Sequence, residues 1–222
     1  MLQFNGVEWK VVSLSEEALL LQAPPEISID QIHASARLIE LTIGEDLLDM
    51  VPAYDSIAVF AGISTAALVK KLSGQKLDLQ AAASASKCVE IPICYELGLD
   101  LESISEHAGC SVDSVISTHL AGTYRSLFVG FTPGFIYADG LEPSLECPRK
   151  TSPRTRIEAG SVGIGGTQTG IYSLESPGGW NILGRTPMKL FDPVLSPPMR
   201  IEVGATFRFK RITLKEFESW ES

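Results

Sequence analysis

Glycine and proline are unevenly spread along this chain: residues 122–222 hold 13 of the 19 glycines and 9 of the 13 prolines. A stretch interrupted that often cannot sustain long helices, because a helical position costs about 1 kcal/mol with glycine and about 3 with proline. It can form many short strands joined by tight turns. Segments 126–131, 156–159, 162–164, 170–174, 181–183, 201–203 and 206–211 read that way, which predicts a barrel or a sandwich.

The front of the chain follows other periods. Residues 9–13 and 18–22 are short strand candidates. Ile29, Ile32, Ala36, Ile39 and Ile43 then keep a helical repeat. Ser28, with Gln31 three residues on, fits a capping box. Strands over 47–53 and 56–61 around a proline-containing turn, and a helix over 64–72, complete a compact α/β unit of two helices on about four strands. The SGQ and AAASAS runs within 73–86 mark a linker, so domains are expected at 1–85 and 86–222. Beyond it come a strand over 89–94 and two short helices, 100–107 and 111–120, opened by Asp100 and Ser111 as N-caps.

Charge narrows the partners. The net charge of −9 argues against nucleic acid. Residues 1–121 carry 6 Lys+Arg against 17 Asp+Glu, while 122–222 carry 12 against 10, so the cations needed to hold an anion lie in the back half. The apolar runs are too short for a membrane span. MLQFNGVEWK lacks the pattern of a secretory leader, and a cytoplasmic protein is expected. Cys88, Cys94, Cys110 and Cys147 form no CxxC pair, and with His33, His107 and His119 they give no zinc spacing. Free thiols and no metal are expected.

Four clusters carry possible chemistry. In FVGFTPGFIY (128–137), Pro133-Gly134 suits the centre of a type II turn, flanked by Phe131, Phe135 and Tyr137; these aromatics fill a barrel or wall a pocket. In CPRKTSPRTR (147–156), Pro148-Arg149 and Pro153-Arg154 repeat a stiffened step that holds out a guanidinium, giving a solvated loop or an anion site. GSVGIGGTQTGIY (160–172) is glycine-rich but lacks the Lys-Ser/Thr of a phosphate loop. Tight turns and close strand approach explain it better, while Gln168 could read an amide edge. SPGGWNILGRTP (176–187) predicts a hairpin, with Trp180 and Arg185 as candidates for a pocket wall. His119 shares a helical stripe with Val112, Val115 and Ile116, and is either a core histidine or a general acid/base.

HLAGTYRSLFVGFTPGFIYADGL, PRKTSPRTRIEAGSVGIGGTQTGIY and SPGGWNILGRTPMKLFDP, in that order, resemble the KipI family. That family is also called allophanate hydrolase subunit 1, carboxyltransferase subdomain C/D, or the B-type component of 5-oxoprolinase (PxpB). The resemblance is dense over 89–210 and looser in front, where ALLLQ and VPAYDSIAVF are similar to the family's first strands. It implies an α+β fold: a small N-terminal α/β sandwich domain followed by a cyclophilin-like β-barrel. It also implies a non-autonomous subunit of an ATP-dependent complex that opens 5-oxo-L-proline to L-glutamate. The implied partners are an allophanate hydrolase subunit 2-like protein (PxpC) and a LamB/YcsF-like protein (PxpA). ATP would act in the assembled complex, with the chain that binds it left open. Under this resemblance His119, Arg154 and Gln168 are the expected catalytic residues. Phe131, Pro133, Phe135, Arg149, Tyr172, Trp180 and Arg185 would bind substrate. Two alternatives remain: a KipI-type inhibitor of a sensor histidine kinase, and an allophanate/urea carboxyltransferase-type subunit with a biotin-bearing partner.

Overall fold

A computed structural model describes residues 1–76, 88–195 and 197–220. The chain divides into two compact units, Met1–Ala85 and Ser86–Ser222. From residue 77 onward, the linker expected over 73–86 lies outside the described residues.

The first unit is an antiparallel sheet of β1 (Leu2–Phe4), β2 (Val7–Ser13), β3 (Ala18–Gln22), β4 (Leu47–Pro52) and β5 (Ser56–Ala61). Their spatial order is β1-β2-β3-β5-β4. The strand absent from the sequence reading is β1, joined to β2 by Asn5-Gly6 with both residues at positive φ, 51° and 73°, a pairing that suits a two-residue hairpin. Leu19, Leu21, Ile57 and Val59 alternate into the core. Helix α1 (Ile29–Ile43) buries Ile32 and Ile39, and α2 (Thr65–Leu72) buries Leu68 and Leu72. Both arms of the capping box form: Ser28 Oγ accepts from Gln31 N, and Gln31 Oε1 accepts from Ser28 N.

The second unit contains β6 (Val89–Ile93), α3 (Leu101–Ala108), α4 (Val112–Ala121), β7 (Tyr124–Val129), β8 (Ile136–Asp139), β9 (Arg154–Ile157) and β10 (Ser161–Gly165). These are followed by β11 (Gln168–Ile171), β12 (Ser176–Gly178), β13 (Asn181–Arg185), β14 (Thr206–Arg211) and α5 (Leu214–Glu218). Seven strands pair in the order β13-β10-β11-β8-β7-β14-β6. The ends of that sheet meet: Cys94 N donates to Arg185 O at 2.8 Å and Arg185 N to Cys94 O at 3.0 Å. The sheet is therefore a nearly closed barrel, filled by side chains such as Ile91, Tyr124, Ile164, Leu183 and Phe207.

Three local expectations change. SPGGWNILGRTP is not a hairpin. Its first part, β12, pairs with β9 in a separate two-stranded sheet, while β13 pairs with β10 in the barrel. The segment 201–203 is not a strand; it ends a loop whose prolines at 187, 193, 197 and 198 remove ladder donors. Asp100 precedes α3, but its side chain makes no capping bond. Among the described residues no helix is long and apolar enough to cross a membrane, and no cluster of metal-ligating side chains occurs. The four cysteines are free, Cys94 and Cys147 buried, Cys88 and Cys110 exposed.

Candidate functional site

The glycines of 160–172 explain the site's floor. A side chain at Gly165 would lie 2.7 Å from the Trp180 ring, and one at Gly170 would lie 2.8 Å from Phe135 and from Trp180. Strands β10 and β11 are bare at these positions, so two large rings can lie against them. Phe135 then packs near-perpendicular to Tyr172 (centroids 4.9 Å, 89°) and to Trp180 (5.6 Å, 76°), with Tyr137 4.6 Å away. Gly178 likewise leaves space for the Tyr172 hydroxyl.

Above this floor is a cavity of about 180 Å³. Phe131 stands at its rim, 62% exposed, with φ +65°. Thr132 N donates back to Gly130 O at 2.8 Å, so Phe131 centres a γ-turn of the rare, strained hand. The type II turn expected at Pro133-Gly134 follows, with Gly134 at φ +78° and Phe135 N donating to Thr132 O.

The other wall comes from 147–154. Arg149 lies over Trp180, its guanidinium carbon 5.3 Å from the ring centroid, a cation–π contact. Among the described residues it has no carboxylate partner. Lys150 and Pro153 also line the cavity. The loop is fastened by Lys150 N to Gly179 O (2.7 Å) and by Asn181 Nδ2 to Pro148 O (2.9 Å).

Beneath the loop lies Asp100, its side chain 3% exposed. Lys150 Nζ donates to Oδ1 at 2.7 Å, Arg154 donates to both oxygens at 2.8 and 2.7 Å, and Ile182 N donates to Oδ2 at 2.8 Å. Burial alone would raise the carboxyl's pKa, but the bonds from Arg154, Lys150 and the Ile182 amide outweigh it and hold the group below its ordinary value. Burial raises the Tyr172 phenol to about 12. It raises Tyr137 too, with Arg149 opposing in part. Both phenols stay protonated at neutral pH.

Of the residues expected from sequence, Phe131, Phe135, Arg149, Tyr172 and Trp180 come together around the cavity. Pro133, Gln168, Arg154, Arg185 and His119 do not line it. The Pro133 carbonyl accepts from Ser173 Oγ in the turn. Gln168 begins β11 with Gly165 as its cross-strand partner. Arg154 has its planar fork committed to Asp100. Arg185 Nε donates to Ala159 O at 2.6 Å, and its guanidinium lies over Phe217. Its backbone closes the barrel instead.

His119 is a core histidine, 0% exposed, stacked on Phe209 at 4.6 Å, with Nδ1 bonded to the Tyr95 hydroxyl at 2.7 Å. Burial pushes its pKa down to about 3, so it stays neutral. Asp100 and Lys150 were not among the expected site residues. Lys150 stood inside a cluster singled out for its arginines.

The barrel with its aromatic, cation-rimmed cavity belongs to a known class. The sequence model of the carboxyltransferase domain, subdomain C and D, matches residues 9–201, and the chain is a member of that family. It is 33% identical to the B-type component of 5-oxoprolinase from Bacillus subtilis (strain 168), over 97% of this chain and 98% of that one. It is 35% identical to the same component from Haemophilus influenzae, over 90% and 96% of the two chains. The crystal structure of TTHA0988 superposes with a TM-score of 0.74 at 33% identity, covering 88% of this chain and 40% of that one. This chain thus corresponds to less than half of TTHA0988.

Proposed function

We propose that this chain is the B-type component of a 5-oxoprolinase, opening 5-oxo-L-proline to L-glutamate within an assembled complex and inactive alone. The observation that carries this reading is the near full-length match to proteins named as that component of 5-oxoprolinase. The cavity supports it. Pockets for drug-sized ligands run to roughly 300–1,000 Å³, so about 180 Å³ suits one small ring. The rings of Phe135 and Trp180 offer an apolar floor for the lactam, Arg149 offers a cation for its carboxylate, and the protonated Tyr137 and Tyr172 offer donors.

ATP does not fit this chain's own residues. The glycine-rich stretch is a strand–turn–strand, with Gly165 and Gly170 facing aromatic rings, and the cavity is below nucleotide size. We therefore assign ATP to a partner, an allophanate hydrolase subunit 2-like protein (PxpC) or a LamB/YcsF-like protein (PxpA). Among the described residues the cavity wall holds no carboxylate and no imidazole. This favours a division of labour: this chain binds, orients and desolvates the lactam, and the partners supply proton transfer.

The test is conversion of 5-oxoproline to glutamate by purified partner chains with ATP, with and without this chain. Glutamate should form only when it is present. Equal formation without it would overturn the reading, and kinase binding and biotin-bearing partners would then be the readings to test.

A further inference from the structure

Asp100 receives more positive charge than it needs. Arg154 contacts both carboxylate oxygens and the Ile182 amide adds a bond to Oδ2. Arg154 alone neutralises the buried charge and satisfies each oxygen. Lys150 is the surplus cation. It lines the cavity whereas Arg154 does not, and Asp100 is the one partner of its Nζ among the described residues. An ammonium carries three N–H bonds. One holds it to Asp100, which leaves two without a partner among the described residues. Arg149, the neighbouring residue, is the other cation on that wall.

We propose that Lys150 is a second cationic ligand, with Arg149, for the acid group of the bound molecule, and that Asp100 is the positioning residue that aims it. This rests on the lactam-acid reading above. The arrangement suits lysine. Its compact charge on a flexible stem can bridge two carboxylates, whereas the rigid fork of Arg154 matches one carboxylate in a fixed plane. Asp100 anchors Lys150 from β13's side of the site, since its fourth bond comes from Ile182 N. Without it the long side chain would sample many rotamers before meeting a ligand.

The experiment uses the assembled complex turning over 5-oxoproline, carrying wild-type chain, Lys150→Met or Lys150→Arg. Lys150→Met should raise KM about 10- to 100-fold, the range for a lost bond to a charged group. It should leave kcat within about 3-fold and lower the thermal midpoint only slightly, because Arg154 still pairs Asp100. Lys150→Arg should restore part of the affinity. Adding Asp100→Asn to Lys150→Met should raise KM little further, although Asp100→Asn alone raises it, since coupled residues are non-additive. If Asp100→Asn fails to fold, the Lys150 variants still decide. An unchanged KM in Lys150→Met overturns the inference. So does a KM rise accompanied by a large fall in the midpoint that Lys150→Arg does not repair. A wild-type complex without turnover overturns the lactam reading and this inference with it, whereas turnover with an indifferent Lys150 removes this inference alone.

Discussion

Replacing Asp100 with alanine is expected to destabilise the folded chain by about 3–5 kcal/mol at neutral pH, the cost of breaking a buried ion pair from one side. The carboxylate is 3% exposed, while Lys150 and Arg154 are 29% and 26% exposed, so solvent relieves part of the cost to the cations. The Ile182 amide loses its acceptor in a place water does not reach. Urea unfolding of the whole chain measures the loss, and Asp100→Asn, which keeps an acceptor for Ile182, should lie between. The pH dependence has a definite sign. A carboxyl held below its ordinary value contributes stability above about pH 4, and loses it as pH falls through the lower folded value. The gap between wild type and Asp100→Ala should therefore persist to about pH 4 and close below it. A variant as stable as wild type would show that the hub holds nothing together.

Acidification should destabilise the protein through His119. Its imidazole titrates near 6.5 in the unfolded chain and at about 3 when folded, because burial disfavours the charged form. Between those values the unfolded chain binds a proton that the folded chain refuses. Stability is full above about pH 6.5 and falls as pH drops towards 3. The limit is on the order of 5 kcal/mol, at about 1.4 kcal/mol per pH unit. His119→Phe keeps a ring against Phe209 but leaves the Tyr95 hydroxyl without Nδ1, costing about 1–3 kcal/mol at neutral pH. Urea midpoints from pH 7 to 4 should thus start lower for His119→Phe and fall less steeply than wild type. Parallel curves would contradict this account of the histidine.

Much of the second unit was readable because glycine and proline act locally. Most of them fall in the turns between strands, so the alternation of short β segments and turns appears in the chain itself. Close strand approach was also readable at 160–172, though not that Trp180 and Phe135 are what approach Gly165 and Gly170. Those partners belong to other segments of the chain. Asp100 shows the limit more sharply. An aspartate before an apolar helix signals an N-cap, while its actual partners stand 50, 54 and 82 residues away. Arg185 fails for the same reason, since only barrel closure puts it beside Cys94. Two signals stood in the chain unread: Asn5-Gly6 for the first hairpin, and the capping box of Thr213 and Glu216 that opens α5.

Whether the cavity of the barrel holds the acid substrate is decided by Arg149→Met in the assembled complex. Arg149 is exposed and unpaired with any described carboxylate, so its loss should leave assembly and the thermal midpoint unchanged. With the substrate in the cavity, kcat/KM for 5-oxoproline should fall at least about 10-fold, as a charge-assisted contact is lost. Undiminished kcat/KM in an intact complex would place the substrate elsewhere.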